Sequence, residues 1–286
     1  MIAHPPLPAE VQVLFVDGDA VGRTLSVPLP PGQAVVSDEG NGDGPVLWLS
    51  ARSPESGLWA RLRAEHGRSG LWPLLLQAHD VDDDEFRPWG AGELFPAGMS
   101  KPQGHDPAAL LAGWWADHTT VAEDVDMLPP AERLAVTAPY GRDWPGLAPS
   151  ADRGNDPDRV ADDLADELLA VFSKLRLGLV AADRGSDALT VAGWVGPLNH
   201  TNDTAEISAV VADWERRFGV RVVGVGFATL DLSVAAPPTT HEQALAVAAE
   251  HFAFCPDNVW QGREPCTLTA YAERLVGERS WSFWWD

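Results

Sequence analysis

Bases are scarce in this sequence. Lys and Arg number 20 against 42 Asp and Glu, a formal charge of −22, and only two of the bases are lysines, Lys101 and Lys174. A surface this negative repels phosphate backbones and anionic lipid heads, so nucleic-acid and membrane roles are set aside. A protein partner with a basic surface is easier to accept. Only two cysteines occur, Cys255 and Cys266, which do not make a disulfide framework. The strongest apolar run, Leu71 to Leu76, is too short to span a bilayer. The opening Met1-Ile-Ala-His-Pro-Pro-Leu-Pro lacks the charged and apolar regions of a secretory signal, so a cytoplasmic protein is expected. Phosphate-loop and dinucleotide motifs are missing too: near Gly219, Gly224 and Gly226 no such spacing closes, and position 229 is Thr. Glycines in that setting mark a bulge or close packing.

What is present is enough apolar material for a real core. Thirteen tryptophans stand among 286 residues, and each inward ring buries roughly 150–250 Å². The pattern predicts an α+β protein, a mixed sheet covered by helices, with a second α/β-like part at the N-terminus. The expected division is 1–144 as that N-terminal part with a long acidic loop, 145–156 as a Pro/Gly-rich linker, and 157–286 as a C-terminal α+β domain.

In the first part, alternation over Val11, Val13 and Phe15 predicts a strand, followed by a turn at Asp17-Gly18-Asp19. Arg23–Leu29 and Gln33–Ser37 give weaker strands, and Pro45–Ser50 a buried one. Ser53-Pro54-Glu55 opens a helix closed by Gly67 or Gly70, and Leu71–Gln77 returns as a buried strand, a βαβ spacing. Residues 78–104 read as a long surface excursion. Asp106-Pro107 caps a short helix.

Asp156-Pro157 opens the clearest helix, with Val160, Leu164, Leu168, Val171, Phe172 and Leu175 on one face. Leu189–Val195 reads as a strand. Asp203 with Glu206 has capping-box spacing for a helix stopped by Gly219. Strands follow at Val220–Val225 and Leu230–Val234, then helices opened by Thr240 and Thr267. Trp281, Phe283 and Trp285 alternate with Ser282 and Trp284 in a terminal strand.

Several strings of the last third are distinctive together: Trp214-Glu215-Arg216-Arg217-Phe218-Gly219, Pro237-Pro238, Glu250-His251, Cys255-Pro256-Asp257-Asn258-Val259-Trp260-Gln261, and Trp281-Ser282-Phe283-Trp284-Trp285-Asp286. Over residues 178–286 the sequence resembles the bacterial domain-of-unknown-function family 4253, with a fainter echo at Gly70–Leu76. The resemblance implies a shared fold and a cytoplasmic protein of actinobacterial type. It implies no reaction.

Chemistry-bearing residues concentrate between Glu250 and Cys266. His251 and Cys255 are four apart and share a helix face, with Asp257 near enough to orient a His-activated thiol; these three are the catalytic candidates. His200, Asn202, Glu250, Asn258, Trp260 and Gln261 are the ligand-binding candidates, polar or flat groups in turns that follow apolar elements. Zinc by His251, Cys255, Cys266 and Asp257 lacks the paired short spacings such sites show, so no metal and no cofactor is expected. Each has a plainer reading: Cys255 as a small buried hydrophobe, His251 bonding a neighbour, Pro256-Asp257-Asn258 as a helix stop. Asp80, Asp82 and Asp84 begin a calcium-loop spacing that fails at the sixth and twelfth positions, Glu85 and Ala91. A non-enzymatic binding or interaction protein of immunity or accessory type is the first expectation. The alternative is a hydrolase or transferase using Glu250–Gln261 with His200.

Overall fold

Among the residues described by a computed structural model (4–16, 18–38, 44–80, 83–120, 129–151 and 154–286), seven strands form one mixed sheet. They are β1 (Gly32–Val35), β2 (Leu47–Ser50), β3 (Leu71–Leu76), β4 (Arg176–Ala181), β5 (Val220–Val225), β6 (Thr229–Val234) and β7 (Ser280–Trp284). The spatial order is β1-β2-β4-β3-β5-β6-β7. All neighbours are antiparallel except β3 and β5, where Leu75 pairs with Gly224 and Leu76 with Val225. The expected βαβ unit exists but is split: β4 inserts between β2 and β3, pairing antiparallel with both. The sheet thus combines strands from before and after the Pro/Gly-rich stretch.

Helices cover both faces. They are α1 (Ala9–Gln12), α2 (Leu58–Ser69), α3 (Pro107–Thr119), α4 (Pro130–Val136), α5 (Pro157–Val171), α6 (Gly185–Ala192), α7 (Thr204–Phe218), α8 (His241–Phe254), α9 (Asp257–Trp260) and α10 (Leu268–Leu275). Arg63 of α2 grips Asp162 and Asp158 of α5, and Arg221 of β5 reaches the same Asp158, tying these two helices to one face. On the other face Trp214 of α7 lies flat on Phe283 of β7, with ring centroids 5.5 Å apart, and Phe254 of α8 meets Phe283 edge-on at 4.9 Å.

The helix ends follow the local chemistry. Asp106, Asp156, Asp203, Thr240 and Thr267 each accept a backbone N–H as N-caps. Gly219 stops α7 at φ +63°, a conformation that costs glycine little. The bulge anticipated among the β5 glycines lies between Val222 and Gly224.

Four local readings are corrected. Residues 11–16 form no strand: Val11 sits in short helix α1 and is sealed, while Val13 and Val16 are exposed. The described part of Arg23–Leu29 holds one bridge, Thr24 to Pro6. The α2 helix starts at Leu58, after Gly57 at φ 75°, whose N–H is taken by Asp166 of α5 instead of by a local Ser cap. Leu189–Val195 spans the end of α6: Leu189, Thr190, Ala192 and Trp194 are buried and Val191 is exposed, too short an apolar run to separate helix from strand by period.

The face assigned to α5 also ends early. Val171 and Phe172 are exposed, and the chain turns at Leu175 into β4. The described part of the 78–104 excursion is no bare surface loop: Phe86, Trp89 and Leu94 are buried, and Trp89 Nε1 donates to Gln77 O at 2.8 Å. Asp17 and Asp82 lie outside the described residues.

Candidate functional site

β7 is an outer strand, and its even-numbered residues turn their backbone groups away from β6. An open edge of this kind is a template for unwanted pairing. Here it is closed by the segment that the sequence marked as chemical. Asn258 Nδ2 donates to Ser282 O at 2.8 Å, Cys255 Sγ to Trp284 O at 2.9 Å, and Asp257 Oδ2 accepts from Asp286 N at 3.2 Å. The helix stop after α8 therefore acts as a clasp on the sheet edge. Burial pushes the Cys255 thiol up to about 12, far from a thiolate nucleophile.

His251 is wholly buried. Its Nδ1 lies 2.9 Å from the Tyr271 hydroxyl, which also accepts from Asn258 Nδ2 at 3.2 Å. The Tyr271 hydroxyl can donate to Nδ1 or accept from it, so the contact fits either ring tautomer. Nε2 has no hydrogen-bond partner. The His251 ring packs among those of Trp281, Phe283 and Trp214, with centroids 4.4, 4.9 and 5.2 Å away. Burial, with Arg217 adding, lowers the imidazole to about 3, so it stays neutral. Burial raises Tyr271 well above the ordinary phenol range.

Glu250 is an internal counter-ion. Its carboxylate accepts from Arg217 at 2.6 and 2.9 Å, from Trp214 Nε1 at 2.7 Å and from Ala148 N at 2.6 Å, while Arg217 also donates to Ala148 O at 2.9 Å. Asp213 is the second carboxylate on Arg217, at 2.5 Å. Burial works against the Arg217 charge, but its bonds to Glu250 and Asp213 outweigh this and hold the guanidinium above its ordinary value. The network straps the stretch around Ala148 onto α7 and α8.

The other nominated residues lie elsewhere. His200 stacks on His118 at 5.4 Å and meets Trp114 at a tilt at 4.6 Å, and Trp260 meets the same His118 at 5.8 Å. Burial lowers His200 to about 3, and its Nε2 is buried without a partner. Asn202 is exposed in the turn before α7, and Gln261 bonds Asp257 at 3.1 Å on the surface. Among the described residues no three His, Cys, Asp or Glu come together as a metal site.

None of these nominated residues lines either of two hollows elsewhere on the molecule. Those open at the end of the sheet where β2, β3 and β5 finish. One, of about 640 Å³, is lined by Arg52, His79, Phe86, Phe172, Lys174 and Arg176 among others. The second, of about 620 Å³, is lined by Phe95, Leu198, Asn199, Phe227, Thr229 and Trp285 among others. They share Gln77, Ala78 and His79, and the His79 ring rests on Phe227 at 4.3 Å. The two hollows adjoin to form a crevice beyond the carboxyl ends of β3 and β5, the one parallel pair of the sheet.

Two features of the crevice stand out. Phe172, Leu198 and Phe227 are exposed apolar side chains on its walls. Phe86 is the one described non-glycine residue with positive φ, at 55°, while its ring is buried. That conformation costs roughly 1–3 kcal/mol and persists where surrounding packing imposes it. Sequence reasoning passed over this site because its residues come from five separate connections. The usable signal was the polar step Gln77-Ala78-His79 at the end of a buried strand.

A Ser–His–Asp grouping occurs at Ser100, His105 and Asp203. Ser100 Oγ is 2.6 Å from His105 Nε2, but Asp203 approaches that same nitrogen, at 3.7 Å, and not the far one. Asp203 also caps α7 and accepts Ser100 N at 3.1 Å. The acid cannot orient the ring as a triad requires; the group staples the 99–105 loop to α7.

The strings that define the last third now meet in one body: Trp214, Arg217, Glu250, His251, Cys255, Asn258, Trp281 and Phe283. Residues 176–286 match the family model of a domain of unknown function, DUF4253. The DUF4253 match begins at the first residue of β4 and runs through β7. No curated protein and no solved structure matches the chain. Within the matched span, the aromatic and ionic residues described above build the core and close the sheet edge. No described helix is long and apolar enough to cross a membrane.

Proposed function

We propose that the protein acts by binding, as an interaction protein of accessory or immunity type that holds a segment of a partner with a basic surface in the crevice beyond β2, β3 and β5. The observation that carries this reading is the crevice itself. Two hollows of about 640 and 620 Å³ meet at His79 and expose Phe172, Leu198 and Phe227, a size and lining suited to ligand side chains. Asp80, Asp84, Glu93 and Asp286 on its rim, with a net charge of −22, favour a basic segment.

The alternative, a hydrolase or transferase at Glu250–Gln261 with His200, asks a substrate to reach a thiol and an imidazole that are sealed and hydrogen-bonded inward. It is the weaker reading.

The test is photo-crosslinking in the source cell from benzoylphenylalanine placed at Phe172, Phe227 or, as an exposed apolar control, Val276. Discrete crosslinked products from the two crevice positions and not from the control are expected. Equal products from all three, or none from the crevice, would remove the reading.

A further inference from the structure

The hollow between β2 and β4 differs from its neighbour in its cations. Ser50 Oγ, fully buried, accepts Leu177 N at 2.9 Å and donates to Arg52 O at 2.7 Å. This one hydroxyl pins the end of β2 to the start of β4 and brings Arg52 and Arg176 to the same rim. The Arg176 guanidinium lies over the Phe86 ring, 4.1 Å from its centroid. Stacking of that kind uses the face of the group and leaves its N–H edge available. Neither Arg52 nor Arg176 has an ion pair among the described residues, in a chain whose acids outnumber bases 42 to 20.

The rest of the lining limits the anion. Asp80, Asp83 and Asp84 also face this hollow. Asp83 is committed to the backbone N–H groups of Glu85 and Arg87 at 2.9 and 2.8 Å. With Lys174 the lining sets three cations against these three carboxylates, a near balance that suits a singly charged carboxylate better than a doubly charged phosphate. Beside the arginines stand Phe86, Val171 and Phe172, an apolar surface next to the charge.

Resting on the binding function proposed above, we infer that this hollow takes the C-terminal carboxylate of the partner chain. Arg52 and Arg176 hold the carboxylate, and the last side chain, apolar or aromatic, lies against the exposed Val171 and Phe172. Basic residues upstream then meet Asp80, Asp84 and the other acids of the crevice. A planar guanidinium fork suits a carboxylate, and capture of a chain end is an established mode of peptide recognition.

The experiment uses the full chain, immobilised, and two pools of acetylated hexapeptides with random basic-biased sequence ending in Leu or Phe. One pool has free carboxylates and the other has C-terminal amides. Retention of the acid pool over the amide pool is expected, with selected acids weakened by at least about tenfold in Arg52→Gln and in Arg176→Gln. Arg52 is exposed, so its substitution leaves folding intact, which thermal melting checks. Equal retention of acids and amides, or acids insensitive to both substitutions, overturns the inference and leaves crevice binding standing. Retention of neither pool also overturns it. In that case continued crosslinking from Phe227 separates a wrong ligand class from a wrong site.

Discussion

Asn258 and Ser282 are joined across the edge of the sheet: the amide of one, at 2.8 Å, takes the carbonyl that the other would offer to an eighth strand. Cys255 and Asp257 do the same for the neighbouring backbone groups of Trp284 and Asp286. Residues that look like a reaction centre in the sequence thus serve to finish a sheet.

Replacing Asn258 by Leu removes its side-chain hydrogen bonds to Ser282 O, the Tyr271 hydroxyl and the Cys255 thiol, and leaves the Ser282 carbonyl unsatisfied. The loss is expected to be about 1–3 kcal/mol, read from urea denaturation. Hydrogen exchange should quicken at Ser280–Trp284 before it changes in β3 or β4. Uniform exchange across the sheet would show that Asn258 does not clasp this edge.

The Arg217–Glu250 pair should be costly to break from one side. Glu250→Gln leaves the buried guanidinium with Asp213 as its remaining carboxylate and is expected to cost about 1.5–3 kcal/mol. Arg217→Met with Glu250→Gln should recover part of that loss. Additive losses in the double variant would mean that the two groups do not depend on each other.

Much of this fold was legible because its signals are local. Asp or Thr caps opened α3, α5, α7, α8 and α10, and alternation along Trp281–Trp285 gave β7 with three rings inward. The errors arose where burial is complete or where partners are distant. Leu189–Val195 is a short apolar run with one exposed residue, Val191, so helix and strand look alike in it. The insertion of β4 between β2 and β3 depends on Ser50 meeting Leu177, a pairing no window could reveal. For the candidate site the residues were found and their role was not: a His four positions before a Cys shares a face whether that face meets solvent or Trp281. The crevice, assembled from many short connections, left almost no trace.

Acid should destabilise the protein through its neutral histidines. His200 and His251 have folded-state values near 3, below the ordinary value of 6.5. The stability they contribute is complete above about 6.5, where both states are neutral, and is lost as pH falls from there toward about 3. In that window the unfolded chain binds the extra protons, about 1.4 kcal/mol per pH unit for each histidine. Urea midpoints between pH 7 and 4 check this. His200→Gln should flatten the slope, and an unchanged slope would place the proton uptake elsewhere.

The two thiols should differ in reactivity. Cys255 is sealed and donates to Trp284 O, whereas Cys266 is half-buried. Thiol titration of the native protein at pH 8 is expected to find the Cys266 group alone, with Cys255 appearing only on unfolding. Rapid native modification of Cys255 would reopen the case for a nucleophile.

The central claim is that the protein meets its partner at the strand ends around His79 and not at His251 and Cys255. Crosslink yield from a probe at Phe172 tests it directly when Phe227→Arg and Cys255→Ala are compared below their melting temperatures. The account predicts that Phe227→Arg abolishes the product and Cys255→Ala retains it. Loss in Cys255→Ala with retention in Phe227→Arg would contradict it.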